Sequence, residues 1–364
     1  MACAYLALQR AGIPVDEYIA YEIDKDAIAT STANVAIIQH CGDVFKADYS
    51  TIGDIDILMG GSPCTYWSIL QHSGREVTAS GAGWDLFQQY MRALKEVRPQ
   101  YFIYENNHSM SEAVKQSITA SFGFEPVCIN SALVSAQNRR RYYWCGVLKD
   151  GEYKPLLSGQ EPQDKGILLT DILERGKKMK ACGQPICVAQ RGRPKAIVNG
   201  KPVNKQMYEP RFDGKTNVLT TVTKDNMVLE PLYCKHCTHS AGKVDKLMLG
   251  RLLKQEYAVA ESWDDDGLPL TGVSAVGGAE LPVVVVANGK AKLHGAWYPT
   301  KIPNGYYVVR NLTLMECKRL QTVPDDYKFP IGDARAKKLL GNGWTVDVIA
   351  YLLSFVKADA GVGS

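Results

Sequence analysis

Short apolar runs alternate with amphipathic segments along the first 148 residues. Residues 18–23, 35–38, 55–59 and 101–104 are apolar runs of strand length. Residues 1–12, 24–34 and 84–97 carry apolar positions at helical spacing instead, and Gly12 and Asp24 are suited to cap two of these helices. Strands that alternate with helices in this way predict an α/β fold with a doubly wound sheet.

The middle of the chain has a different pattern. Residues 149–305 contain more Pro, Gly and Lys and few helical patterns, whereas helices are predicted again at 312–320, 334–340 and from 346 onwards. We therefore expect a large α/β domain, interrupted by a second, smaller domain. The boundaries are placed at 1–148, 149–305 and 306–364.

Composition narrows the class of protein. The chain of 364 residues has a net charge of +4, which allows nucleic acid as a partner. We find no uninterrupted apolar run of membrane-spanning length, and the ten cysteines are scattered over a long chain, which favours reduced thiols. We expect a cytoplasmic monomer with no membrane segment.

Three strand ends carry reactive side chains. Cys64 follows two glycines and a proline at the end of one apolar run, where α/β sheets bind ligands. Glu105 ends a second run. Arg139 and Arg141 alternate, so their side chains would share one face of an extended segment. An isolated cysteine is more often an inert buried residue, so the combination carries the prediction.

In this order, Pro63-Cys64, Glu105-Asn106 and Gln137-x-Arg139-x-Arg141 resemble the signature motifs of the DNA cytosine-5 methyltransferase family, of phage or bacterial type. Residues 310–327 and 341–346 extend the resemblance, which covers about residues 1–148 and 306–357. It implies a Rossmann-like S-adenosylmethionine-dependent methyltransferase sheet with a smaller target-recognition domain. It also implies transfer of a methyl group to carbon 5 of cytosine in double-stranded DNA.

The resemblance assigns the catalytic roles. Cys64 adds to carbon 6 of a flipped cytosine, Glu105 serves as the acid at the third ring nitrogen, and Arg139 and Arg141 hold Glu105 and donate to the ring carbonyl oxygen. Asn107 and Thr65 depart from the family pattern at the border of the base pocket. A restriction-modification or phage DNA-protection role is implied.

The cofactor implied is S-adenosylmethionine. Glu22 ends the second strand of a dinucleotide-type fold and is suited to the ribose hydroxyls, Ile23 to the adenine face, and Asp43 to the adenine amino group. Further contacts are expected from Val44, Ser62, Pro63, Leu86, Asn342, Gly343 and Trp344. The strand and glycine-rich turn that open the family's pocket should precede residue 1, so either the start lies upstream or part of the pocket is missing.

DNA contacts are expected in the middle domain and near the nucleophile. Arg191 and Arg193 lie in a basic segment that we interpret as a loop, and Arg211 and Lys215 flank a predicted Asp213-Gly214 hairpin turn. Ser68 lies in the polar stretch 65–83, which resembles the family's mobile active-site loop.

Three other readings remain open. Cys234 and Cys237, with Cys182 and Cys187, could hold zinc, but the spacing of the second pair is atypical and we expect no metal. The chain could also be a catalytically impaired DNA-binding relative that lacks the cofactor loop, or an RNA cytosine-5 methyltransferase.

Overall fold

The computed structural model describes residues 1–63, 65–68, 74–174, 184–198, 201–220, 225–234, 257–258, 274–275, 283–293, 296–303 and 305–361. The chain divides into two compact units, one formed by Met1–Ile167 with Cys317–Ser364 and the other by Leu168–Glu316. Both predicted boundaries fall earlier in the chain than these. Each unit is described here by itself.

The first unit contains seven strands among its described residues, β1 (Tyr18–Ala20), β2 (Ile38–His40), β3 (Ile57–Gly60), β4 (Tyr101–Asn107), β5 (Val127–Asn130), β6 (Arg140–Lys149) and β7 (Glu152–Pro155). β1 and β2 form a separate parallel pair. The larger sheet has the order β3-β4-β6-β5, with β7 on β6. Only β3 and β4 are parallel in it, because β6 runs antiparallel to β4, β5 and β7.

The helices of the described residues are α1 (Cys3–Ala11), α2 (Lys25–Thr32), α3 (Ala82–Val97), α4 (Glu112–Phe122), α5 (Leu169–Ile172), α6 (Leu314–Leu320), α7 (Asp333–Asn342) and α8 (Val346–Asp359). Both predicted caps are confirmed. Gly12 ends α1 with φ 68°, and the Asp24 carboxylate accepts from the backbone N–H groups of Asp26 and Ala27 at the start of α2.

Helices cover both faces of the larger sheet. On one face, Phe102 and Tyr104 of β4 pack into an aromatic cluster with Phe87 of α3 and Phe122 of α4. On the other face, the Tyr101 hydroxyl of the same strand donates to Asp359 of α8 at 3.0 Å, and α8 packs against α1. The predicted doubly wound α/β fold is therefore confirmed.

The apolar C-terminal stretch belongs to this core. Within the described part of the chain, Asp333–Asp359 is the one stretch whose length and composition would allow a membrane crossing, and 56% of its apolar window is buried in the protein. Its helical structure is broken at residues 343–345, between α7 and α8. The inward residues of α8 are Val346, Val348, Ile349, Leu352, Leu353 and Val356. These features are those of core helices in a globular protein.

One predicted strand is displaced. We predicted a strand at residues 35–38, whereas β2 is Ile38–His40. The backbone N–H of Val35 donates to the Ser31 carbonyl at 2.9 Å, so residue 35 still belongs to the turn that ends α2, and its apolar side chain is buried there. An apolar residue that is buried in a turn was thus mistaken for the first residue of a strand.

The second unit is built on an antiparallel sheet. Its strands are β8 (Ile186–Val198), β9 (Lys201–Arg211), β10 (Met227–Cys234), β13 (Val283–Ala287), β14 (Lys290–Leu293), β15 (Ala296–Pro299) and β16 (Gly305–Asn311), in the order β15-β14-β13-β16-β10-β8-β9. β11 (Tyr257–Ala258) and β12 (Ser274–Ala275) form a separate pair. Val188, Tyr208, Leu229 and Tyr307 are buried in one apolar cluster.

Two predictions in this unit are wrong. Residues 190–195 are part of β8 and do not form a loop, and the hairpin joins β8 to β9, with Val198 opposite Lys201. Gly214 does have the positive φ of a turn, 69°, but β9 already ends at Arg211 and residues 217–220 form no strand. The basic composition of residues 190–195 hid the strand, because this run lacks the apolar alternation that marks one.

Candidate active site

The parallel strands β3 and β4 end at the same edge of the sheet. Residues 61–63 leave β3 there, and Glu105 lies near the end of β4. A Cβ atom added to Gly61 would meet the backbone oxygen of Glu105, so the two strand ends approach more closely than any other residue would allow. Cys64, the next residue after this segment, lies outside the described residues.

Ser62 is fixed by side chains from β4. Its hydroxyl lies 2.9 Å from the hydroxyl of Tyr104, and its carbonyl accepts from the amide nitrogen of Asn106 at 3.2 Å. All three residues are buried. Pro63, which follows, is exposed. Side chains of β4 therefore hold the segment before Cys64, although this segment lies at the edge of the sheet.

Glu105 has two partners of different kind. Its Oε1 lies 2.9 Å from Nε of Arg141, and its Oε2 accepts from the indole N–H of Trp344 at 3.1 Å. The Glu105 and Arg141 side chains are only 10% and 9% exposed. The Nε–H of Arg141 is not aimed at the carboxylate and has no hydrogen-bond partner among the described residues, so the contact is an ion pair with one buried donor left over.

The two predicted arginines have separate partners. Arg139 and Arg141 are buried on one face while Arg140 is exposed, which is the alternation expected of an extended segment. The guanidinium of Arg139 donates to the carbonyl oxygens of Gly341 and Gly343 at 3.0 and 2.9 Å. Arg141 thus contacts Glu105, whereas Arg139 holds the α7–α8 connection from which Trp344 reaches Glu105.

Buried polar side chains also hold the connection between α7 and α8. Gln321 donates to the Leu340 carbonyl at 2.5 Å and accepts from the Thr345 hydroxyl at 2.8 Å. The Thr345 hydroxyl in turn lies 2.9 Å from the hydroxyl of Ser131. The amide nitrogen of Gln137 donates to the side-chain oxygen of Gln321 at 3.4 Å. None of these polar side chains is more than 1% exposed. The connection between α7 and α8 is therefore ordered by the residues that surround it.

Four of the predicted cofactor residues follow β1 and β2, which are parallel neighbours. They are Glu22, Ile23, Asp43 and Val44. Glu22 accepts from the backbone N–H groups of Ile23 and Asp24 through Oε1, both at 2.9 Å, and Ile23 is 71% exposed. An apolar side chain this exposed next to a fixed carboxylate is suited to a ligand with an apolar face and hydroxyl groups.

Asp43 and Val44 follow β2. Asp43 caps a short 3₁₀ turn, Val44–Lys46, by accepting from the N–H of Phe45 at 3.0 Å. Arg92 of α3 donates to the Val44 carbonyl at 2.8 Å, so the turn is fixed to the larger body of the unit. Phe45 is 52% exposed, and our sequence analysis did not single it out.

Three other predicted cofactor residues are less informative. Leu86 lies on α3 and is half-buried. Asn342 is exposed at the end of α7, and Gly343 packs so closely on Met1 and Cys3 that a Cβ atom there would meet both side chains. Their roles toward a cofactor remain predictions.

The stretch predicted as a mobile loop has a buried anchor. The indole N–H of Trp67 donates to Glu76 at 3.2 Å, and Trp67 is fully buried. Glu76 also accepts from the N–H of Gly83 in the first turn of α3, at 3.1 Å. The described residues that flank 69–73 are thus tied to α3. Ser68 is half-buried.

The predicted DNA-binding residues differ in how engaged they are. Arg191 pairs with Asp225 at 3.1 Å and with Glu209 at 3.4 Å. Arg211 pairs with Asp213. For Arg193 only the position in β8 is described, and Lys215 is half-buried directly after Gly214. Arg191 and Arg211 are therefore held by acids of their own unit, which we had not expected.

The predicted zinc alternative falls largely outside the described residues, because residues 235–240 and Cys182 are among those left undescribed. In the described ranges no group of three or more His, Cys, Asp or Glu side chains could hold a metal ion. Cys187 is buried, and burial raises the pKa of its thiol to about 11.

Comparison with known families follows the motif order. The family model for C-5 cytosine-specific DNA methylase matches residues 3–357. The chain belongs to the C-5 cytosine-specific DNA methylase family. The match includes the middle segment that the sequence motifs had left unassigned, and the resemblance read from the motifs is confirmed.

Three relatives with similar sequences come from a phage and two bacteria. The orphan methyltransferase M.SPRI of Bacillus phage SPR is 31% identical over 185 residues, 47% of this chain and 40% of that protein. The type II methyltransferase M1.ScrFI of Lactococcus lactis is 34% identical over 34% of each chain. These alignments span less than half of the relatives' length. M.NgoPII of Neisseria gonorrhoeae is 24% identical, but the alignment covers 97% of this chain and 91% of that one.

Solved structures show the fold. The Entamoeba histolytica methyltransferase EhMeth superposes with a TM-score of 0.54 at 12% identity, over 98% of this chain and 95% of that one. A variant of Spodoptera frugiperda DNMT2 gives 0.53 at 13% identity, over 97% and 96%.

Proposed function

We propose that this chain transfers a methyl group from S-adenosylmethionine to carbon 5 of cytosine in double-stranded DNA. The observation that carries the proposal is the buried pair of Glu105 and Arg141, with the indole of half-buried Trp344 on Glu105, beside the segment that leads to Cys64 in a chain of this methylase family. A carboxylate and a guanidinium buried together at a strand end are suited to bind a polar ring.

The chemistry follows from the electronics of cytosine. Carbon 5 becomes nucleophilic when the Cys64 thiolate adds to carbon 6 and the aromaticity of the ring is lost. Glu105 supports this addition by hydrogen bonding to the third ring nitrogen, and the leftover Nε–H of Arg141 can donate to the ring carbonyl oxygen. Carbon 5 then takes the methyl group, a base removes the carbon 5 proton, and the electron pair released expels the thiolate.

The residues at the ends of β1 and β2 support a site for the methyl donor there. Glu22 uses one oxygen on its own backbone, which leaves the other for ribose hydroxyls. Exposed Ile23 and Phe45 offer apolar surface for an adenine ring, and Asp43 offers a carboxylate for its amino group. S-adenosylmethionine supplies an electrophilic methyl group on sulfur.

The second unit supplies DNA contacts in this proposal. β8 and β9 form a hairpin longer than the other strands of the sheet, and its paired positions include Arg193 opposite Lys205. A two-stranded ribbon fits the major groove of DNA, and cationic side chains on it would contact phosphates. The target base must leave the helix to reach the first unit. We propose that the protein is a cytoplasmic monomer in a phage or restriction-modification setting.

Methyl transfer from labelled S-adenosylmethionine tests the proposal. We expect label on carbon 5 of cytosine in mixed-sequence duplex, and none with Cys64→Ala. Transfer to tRNA without transfer to duplex would favour an RNA cytosine-5 methyltransferase. Duplex binding without any binding of S-adenosylmethionine would identify a non-catalytic relative.

A further inference from the structure

The hydroxyl of Tyr104 lies at the centre of the hydrogen bonds that hold Ser62. It lies 3.4 Å from the Ser62 backbone nitrogen, 2.9 Å from the Ser62 hydroxyl and 3.3 Å from the amide nitrogen of Asn106. Tyr104 and Asn106 are fully buried and Ser62 is 7% exposed. A phenol buried in an aromatic cluster needs such partners for its hydroxyl.

The directions of these bonds follow from the number of donors and acceptors. The N–H of Ser62 and the amide of Asn106 can only donate, so they occupy both lone pairs of the Tyr104 oxygen. Its single O–H must then donate to the Ser62 hydroxyl. Burial raises the pKa of the Tyr104 hydroxyl to about 12, so the proton needed for this bond is present at neutral pH.

The result is that every polar group of Ser62 is held from β4. The Tyr104 oxygen accepts from the Ser62 N–H, and the Tyr104 O–H donates to the Ser62 hydroxyl. Asn106 donates to the Ser62 carbonyl oxygen at 3.2 Å. Pro63 follows with a fixed φ, so little backbone freedom remains between Ser62 and Cys64.

We propose that Tyr104 is a positioning residue that fixes the segment 61–63 and thereby aims the Cys64 thiol. This rests on the proposed function. The ring supports the role because it cannot shift. It packs against Phe87 at 5.3 Å, Tyr90 at 4.8 Å and Trp144 at 5.9 Å between ring centroids. The hydroxyl is therefore a fixed point on the rigid sheet.

Tyr104→Phe tests this, because it removes the hydroxyl and keeps the ring. Tyr90→Phe is the matched control. Tyr90 is also a buried tyrosine of the same cluster, but its hydroxyl shares its one proton between the carbonyl oxygens of Leu58 and Ile103 in the sheet, at 3.3 and 3.2 Å. Both variants lose one buried hydroxyl, so a general loss of stability appears in the urea midpoints of both. Ser62→Ala, which removes one of the three bonds and should be milder, is a second variant.

Amide hydrogen exchange of a peptide that contains residues 61–63 is the first readout. We expect exchange at least about tenfold faster in Tyr104→Phe and unchanged in Tyr90→Phe, since the bond lost by the Ser62 N–H alone is worth about that order. The second readout is kcat against KM for duplex. A displaced nucleophile should lower kcat by about ten- to a hundredfold and leave KM for duplex within about twofold.

The outcomes separate this inference from the proposed function. Equal exchange and equal kcat in the two phenylalanine variants would overturn the positioning role, as would a loss confined to KM. A wild-type protein that transfers no methyl group overturns the proposed function instead, and the exchange comparison then still decides whether Tyr104 holds the segment.

Discussion

The ion pair between Glu105 and Arg141 allows a quantitative test by a double-mutant cycle. The perturbations are Glu105→Gln, Arg141→Met and the two combined. Gln keeps an acceptor for the indole of Trp344, so Glu105→Gln removes mainly the charge. Met keeps much of the volume of the arginine stem, so Arg141→Met removes mainly the guanidinium.

The magnitude follows from distance and burial. At 2.9 Å and an effective dielectric constant of about 20, the gross attraction is about 6 kcal/mol, against which both groups have lost hydration. Removing one partner of a buried pair typically costs about 3–5 kcal/mol, because the other charge is left uncompensated. Because the Nε–H of Arg141 does not point at the carboxylate, we place this pair at the lower end of that range. We expect each single variant to lose about 3 kcal/mol of unfolding free energy.

Urea unfolding measures the cycle. The double variant should cost about the same as either single one, which gives a coupling energy of about 2–3 kcal/mol. The control cycle uses Glu152→Gln and Lys154→Met, an exposed pair at 2.7 Å that solvent screens and that should show no measurable coupling. If the costs of Glu105→Gln and Arg141→Met add within about 0.5 kcal/mol, the two groups do not form the pair described here.

Two further predictions concern single residues. Gly61→Ala should lower stability by about 1–3 kcal/mol and impair methyl transfer, because the new Cβ would push the segment away from Glu105; Gly53→Ala, whose Cβ would meet nothing within 4 Å, is the control, and equal midpoints would contradict the close approach. The ammonium of Lys149 holds the pKa of Asp359 below its ordinary range, so the carboxylate contributes stability above its unfolded pKa that is lost as pH falls through the folded value. Asp359→Asn should therefore cost less than about 1 kcal/mol at pH 7, and nothing once both states are protonated; a cost that persists in acid would contradict this.

Much of the first unit could be predicted because its signals are local. The cap at Asp24 and the left-handed end at Gly12 depend on neighbouring residues only. The inward positions of the last helix follow from helical spacing. Signals that depend on distant partners were misleading. The buried turn at Val35 resembled a strand, and β8 resembled a loop because its basic residues break the apolar alternation that marks a strand.

The site divides in the same way. Motif order indicated Cys64, Glu105 and Arg141, and the structure brings the last two together. The motif order could not show that Arg139 holds the backbone at Gly341 and Gly343, because those partners are about two hundred residues away along the chain. Tyr104 stands directly before Glu105 in β4, but its partners become visible only when β3 and β4 are paired.

Capture of the covalent intermediate tests the central claim most directly. Duplex DNA that carries 5-fluorocytosine cannot lose a proton from carbon 5, so a thiol that has added to carbon 6 stays attached after methyl transfer. The account predicts a denaturation-resistant protein–DNA adduct that needs S-adenosylmethionine, maps by peptide mass spectrometry to Cys64, and is absent in Cys64→Ala. An adduct on another cysteine, or methyl transfer by Cys64→Ala, would contradict it.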